Sequence, residues 1–101
     1  MSIHLIHAIE ALKKKVLTLA TLVEESVSQA VKSVEKGDAV LAEKVIGNDN
    51  QIDQMEIDVE EECLKILALY QPVAVDLRFI VSVLKLNSDL ERIGDLAVKI
   101  A

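Results

Sequence analysis

The stretch Leu41-Ala42-Glu43-Lys44-Val45-Ile46-Gly47-Asn48-Asp49-Asn50-Gln51-Ile52-Asp53-Gln54-Met55 decides the fold. Its centre, Gly47-Asn48-Asp49-Asn50, is by local chemistry a loop signal. The apolar register argues against a loop. Leu41, Val45, Ile52, Met55, Val59 and Ile66 keep one stripe on both sides of the tetrad, with Asn48 where the stripe would have continued. A loop would have reset that phase, so the spacing predicts one helix from about Ala39 to Tyr70.

On the N-terminal side, Ile9, Leu12, Val16, Leu19, Val23, Val27, Ala30 and Val34 recur every three or four residues and predict a long helix that stops at Gly37. Lys36 suits the negative end of that helix, and Asp38 is a good N-cap for the next. So short a turn sets the two helices antiparallel. On the C-terminal side, Gln71-Pro72 opens a third helix, with Pro72 expected in its first turn. Phe79, Val83, Leu86, Leu90, Ile93, Ala97 and Ile100 form its stripe, and Leu77, Ile80 and Leu84 a second, which marks it as the most buried of the three. Lys99-Ile100-Ala101 stay in phase with no stop signal, as in a chain cut inside a helix. The expected fold is all-α, an elongated antiparallel three-helix bundle over residues 1–101, on the order of 45 Å long at 1.5 Å per residue.

Composition agrees and excludes other classes. Of 101 residues, 51% are apolar and 2% aromatic, with three Gly, one Pro and no Trp. That is too little turn chemistry for a sandwich or barrel. Eleven basic residues against 17 acidic ones give a net charge of −6, which repels phosphate backbones, and Tyr70 and Phe79 alone make no base-stacking platform. Nucleic acid is therefore not an expected partner. The single cysteine, Cys63, has no disulfide partner in the chain and no zinc spacing. There is no signal-peptide pattern and no apolar run of the roughly 18 residues a membrane span needs, so a cytoplasmic location is expected.

The charge is concentrated. Glu43 to Glu62 contain eight acids and one base, a local −7. Asp49, Asp53, Glu56 and Glu60 form a carboxylate ridge beside the apolar stripe. On the third helix Glu91 and Asp95 are four apart and next to Gly94. Carboxylates at that spacing repel one another unless a cation relieves them. Two pairs on adjacent helices can converge into an oxygen-rich site for hard cations such as Mg²⁺, Mn²⁺ or iron. Gly94 would let an ion or a neighbouring helix approach the backbone. The candidate metal ligands are Asp49, Asp53, Glu91 and Asp95.

Other polar residues have plainer readings. Glu60, Glu61 and Glu62 read as a solvated face with Glu61 paired to Lys65, and Asp89 pairs with Arg92. Arg78 finds nearby acids, His4 and His7 lie on an amphipathic terminal turn, and Cys63 is a small core residue. The sequence has no Glu-x-x-His pair, no Gly-rich phosphate loop, and no Ser or Cys with an activating His. Catalysis is not expected.

Two segments carry a family resemblance. Gln71-Pro72-Val73-Ala74-Val75-Asp76-Leu77-Arg78-Phe79-Ile80 and Ser88-Asp89-Leu90-Glu91-Arg92-Ile93-Gly94-Asp95-Leu96-Ala97-Val98 resemble the PhoU family of phosphate-uptake regulators, and the likeness extends back through Asp49-Asn50-Gln51-Ile52-Asp53. It implies a chain corresponding to the first of two tandem three-helix repeats. It also implies metal-binding acidic motifs, matched here by Asp49 with Asp53 and Glu91 with Asp95. The ions implied are divalent or ferric: iron, Mg²⁺, Mn²⁺ or Zn²⁺. As partners it implies a phosphate ABC transporter ATPase and a sensor histidine kinase, between which the protein acts as a non-catalytic adaptor that represses the phosphate-starvation response. Lys99 stands where the family often has Asn. A lone repeat would expose apolar surface of its third helix, so a homodimer or higher oligomer is expected. Two other readings stand beside this one: a purely structural three-helix module, spectrin-like in build, and a metal-storing carboxylate protein.

Overall fold

Turn chemistry sets where the helices stop. The computed structural model of the protein describes residues 3–101, which form α1 (Ile3–Lys36), α2 (Ala39–Tyr70) and α3 (Ala74–Ile100). Gly37, at φ 61°, takes the left-handed conformation that closes α1, with Asp38 N–H donating to Ser33 O at 2.9 Å. The Asp38 carboxylate accepts from Leu41 N–H at 3.0 Å and caps α2. α2 runs unbroken through Gly47-Asn48-Asp49-Asn50, as the apolar phase predicted.

The link to α3 differs from expectation. Gln71 ends α2 in a left-handed conformation, φ 43°, with its N–H donating to Leu67 O, and α3 begins only at Ala74 after an extended Val73. Pro72 is thus a buried residue of the connection and not part of the first turn.

The three helices pack pairwise into a rod of 53 × 17 × 15 Å. Leu12, Leu19 and Val23 of α1, Val59, Cys63 and Ile66 of α2, and Ile80 of α3 are essentially fully buried. A smaller cluster, Ala30, Val45 and Ala97, fills the other end. Ser26, Asp49 and Gly94 occupy the helix positions between the two clusters.

The sequence stripes needed shifts of one residue. Val34 is 61% exposed, and Ser33 is buried in its place, its hydroxyl donating to Ala30 O at 2.7 Å. Asn48 is exposed, while Asp49 takes the inward position. On α3, Leu86, Ile93 and Ile100 are exposed and Asn87 and Gly94 face inward. The cause is period: the buried seams repeat every seven residues, with steps of four and three, whichever residue type falls there. For the same reason α3 is not the most buried helix, because α1 and α2 share the most extensive packing and α3 carries seven exposed large apolar side chains.

Among the described residues two ion pairs form, Lys13 with Glu10 at 3.3 Å and Lys15 with Glu62 at 3.5 Å. The second ties α1 to α2, so Glu62 belongs to a helix contact and not to a solvated face. The expected pairs Glu61 with Lys65 and Asp89 with Arg92 do not form, and Arg78 joins no acid.

The two glycines nearest the α1–α2 turn test this account in opposite directions. A Cβ at Gly47 meets nothing within 4 Å. Gly47→Ala therefore raises unfolding free energy by about 0.5–1 kcal/mol through helix propensity. Gly37→Ala lowers it by about 1 kcal/mol, because its φ is left-handed. Urea unfolding of both variants checks the signs.

Candidate metal centre

The α2 seam is apolar at Val45, Ile52, Val59, Cys63 and Ile66, and its two remaining positions are Asp49 and Glu56. The facing α3 seam reads Ile80, Val83, Asn87, Leu90, Gly94 and Ala97. A Cβ on Gly94 would lie 3.8 Å from Glu56 Oε1 and 3.8 Å from Ile52 Cγ2, which fixes the register of the antiparallel pair. Gly94 thus leaves room at the helix crossing, and the polar side chains of both seams gather around it.

Asp49 and Asp53, one turn apart on α2, meet Asp95 of α3, each offering a carboxylate oxygen within 4.8 Å of the others. Asp49 is half-buried and the other two are exposed. Three carboxylates so close, from two helices, form a hard-oxygen donor set open to solvent on one side. Burial raises the Asp49 pKa first, and the charges of Asp53 and Asp95 and a hydrogen bond with Asp53 raise it further.

Glu91, the fourth residue singled out from the sequence, is not in that triad. It lines the adjoining cleft of about 350 Å³ with Asp53, Glu56, Glu60, Asn87 and Asp95. The ridge of Asp49, Asp53, Glu56 and Glu60 therefore does border both places, but Glu56 is buried within the seam and not beside it.

Glu56 and Asn87 are the residues the sequence reading did not place in the site. Asn87 donates from Nδ2 to the Glu56 backbone oxygen at 3.0 Å and so joins the two helices. Glu56 Oε1 and Asn87 Oδ1 are buried without a hydrogen-bond partner. Counting seven back from Cys63 and seven on from Ile80 would have found both. Burial pushes the Glu56 pKa up to about 7, helped by the charges of Asp53, Glu91, Asp49 and Asp95. Cys63 is a free thiol, fully buried, and its pKa is pushed up to about 11 by burial and by Glu62 and Glu60, which keeps it inert as the sequence reading expected.

Fold and site together define a three-helix bundle with a carboxylate cluster bridging its second and third helices. Residues 16–101 match the profile of the PhoU domain, and the chain belongs to that family. It is 45% identical over 93 residues to a phosphate-specific transport system accessory protein PhoU homolog of Aquifex aeolicus, covering 92% of this chain and 42% of that protein. A homolog of the same name from Pseudomonas putida is 47% identical over 93 residues, covering 92% and 36%. Phosphate-specific transport system accessory protein PhoU of Escherichia coli K12 is 38% identical over 92 residues, covering 91% and 38%. The chain spans about two fifths of the length of these relatives. No helix among the described residues is long and apolar enough to cross a membrane.

The Glu56 environment sets a pH dependence for the metal-free chain. Its folded pKa lies above the ordinary value of about 4.5, so its contribution is fully present below that pH and is lost as pH rises through about 7. Asp49 is shifted in the same direction. Urea unfolding without metal should show stability falling from pH 4.5 to 8 by on the order of 2–3 kcal/mol. Glu56→Gln should remove most of that fall.

Proposed function

We propose that the protein is a non-catalytic regulatory adaptor of phosphate uptake, held in its working shape by metal at the α2–α3 carboxylate cluster. The observation that carries the metal reading is the triad of Asp49, Asp53 and Asp95 with oxygens inside 4.8 Å. Their like charges oppose helix packing, and a hard cation would turn that repulsion into a cross-helix tie. Glu91 lies in the adjoining cleft and would complete the donor set by a side-chain rotation. All four ligands offer carboxylate oxygen, which suits Mg²⁺, Mn²⁺ or ferric iron better than a soft ion.

The adaptor reading comes from family membership and from relatives named as accessory proteins of phosphate-specific transport. In this reading the chain supplies one bundle of a longer two-bundle architecture. It links a phosphate ABC transporter to a membrane sensor histidine kinase in the cytoplasm and represses the starvation response when phosphate is plentiful. Such work needs a rigid face and no reacting group, which a packed three-helix rod can supply. Oligomers in which a second copy covers the exposed apolar surface of α3 belong to the same proposal.

Two experiments separate these parts. Mn²⁺ titrated into the purified chain should bind and raise Tm by several degrees. The Asp49→Asn/Asp95→Asn variant should bind at least about tenfold more weakly, and unchanged affinity contradicts the site. In the host cell, loss of the encoding gene should switch on a phosphate-starvation promoter in phosphate-rich medium. An unresponsive promoter contradicts the adaptor reading and leaves the metal result standing.

A further inference from the structure

The two connections of the bundle are made of different residues. Between α1 and α2 the left-handed position is Gly37, which adopts φ 61° at no steric cost, and the Asp38 carboxylate caps the next helix at Leu41 N–H, 3.0 Å away. Between α2 and α3 there is no glycine. Gln71 stands at φ 43° and ψ 56° and Ala74 at φ 52°, so two L-residues close together hold the left-handed conformation. α3 also begins without a side-chain cap, because its N-cap residue is Val73.

A Cβ makes the left-handed conformation unfavourable, and only short polar side chains such as Asn and Asp soften the penalty. Gln and Ala have no such relief. Gln71 carries a second conflict, since the ring of Pro72 crowds the residue before it and favours extended backbone there. Strained residues persist only where the surrounding packing outweighs the strain. That packing lies on both sides of the link: Pro72 is buried, Ile66 of α2 is 1% exposed and Ile80 of α3 is 0% exposed. Gln71 and Ala74 themselves are exposed, so no burial of their own side chains offsets the strain.

The docking of α3 is what holds the link in this shape, and on α2 that docking has a weak centre. Glu56 Oε1 and Asn87 Oδ1 are buried there without a hydrogen-bond partner, and among the described residues no other buried side-chain polar atom is so placed. Asp49, Asp53 and Asp95 crowd within 4.8 Å beside them. We infer that the Gln71–Ala74 link is a strained hinge, on which α3 opens as a unit from the α1–α2 pair when the link relaxes. In the open state Gln71 takes the extended backbone that Pro72 favours, which re-aims the chain entering α3. α1 and α2 stay joined by a turn with no strain to release. The states are discrete because the left-handed and extended regions are separate wells of the backbone. Whatever strengthens the docking of α3 closes the hinge, and whatever weakens it opens the hinge. As a moving part of a regulator the hinge rests on the adaptor reading, but the opening itself needs neither metal nor partner.

Backbone handedness tests this without changing any side chain. Ligation at Cys63 under denaturing conditions joins residues 1–62 to a synthetic segment 63–101 with Gln71 and Ala74 in the D configuration, for which the left-handed conformation is the favoured one. Hydrogen exchange is read by NMR in metal-free buffer on this chain and on its all-L counterpart. In the all-L chain the amides from Val83 to Leu90 should exchange at least about tenfold faster than those from Leu12 to Val23 and from Val59 to Ile66. The D residues should slow the α3 amides by about fivefold or more and raise the urea midpoint. Equal protection of the three helices in the all-L chain overturns the inference, because α3 then does not open by itself. An α3 exchange rate that the D residues leave unchanged also overturns it, since link strain then has no part in the opening. So does a lower urea midpoint, which shows a link without strain. With no metal present, each of these failures is distinct from failure of the proposed ion site.

Discussion

A helix that packs on a core presents it with one residue every three or four, and α2 presents carboxylates, Asp49 and Glu56, at two of those places. Everything around the α2–α3 crossing follows from accommodating them. Gly94 withdraws its side chain, Asn87 bonds the α2 backbone, and Asp53 and Asp95 border the same opening to solvent. An ordinary bundle would fill these positions with aliphatic side chains, each contributing about 1.5–3 kcal/mol on burial. Here that stabilisation is given up along the middle of one helix pair. The proposed cation would offset part of that cost by neutralising the carboxylates gathered there.

The same arrangement explains why the two sides of the rod differ. The α1–α2 contact is apolar along its main core, with an uncharged-rich polar cleft at Ser26, Gln29, Asn48 and Gln51 and the Lys15–Glu62 pair at its edge. The α2–α3 contact is apolar at its ends and polar at its centre. Metal binding in the proposed centre would therefore act on the relation of α3 to α2, leaving the α1–α2 pair as the fixed frame.

Helix number, direction and length were legible in the sequence because they rest on phase and punctuation. Gly37-Asp38 had only one reading, and the apolar phase carried α2 through Gly47-Asn48-Asp49-Asn50. What escaped was rotation. A stripe drawn through the most hydrophobic residues takes Asn48 for Asp49, Leu86 for Asn87 and Ile93 for Gly94, each one residue off, because hydrophobicity alone cannot announce that a core position is polar. Asp49, Asp53 and Asp95 were found from their spacing and do meet. Glu91 has the same i, i+4 spacing to Asp95 but projects into the neighbouring cleft, and only the crossing geometry separates the two places. Glu56 and Asn87 were hidden for the opposite reason, since each looks like a solvent residue until the sevenfold count is applied. The flanking ion pairs expected from local spacing failed because exposed long side chains gain too little from pairing to be fixed by it.

The most direct measurement is a crystal of the chain grown with Mn²⁺ and an anomalous difference map collected at the manganese edge. The account predicts a peak between α2 and α3 with one oxygen each from Asp49, Asp53 and Asp95 at about 2.2 Å. A map with no peak there, from crystals in which the three carboxylates turn apart into solvent, would contradict it.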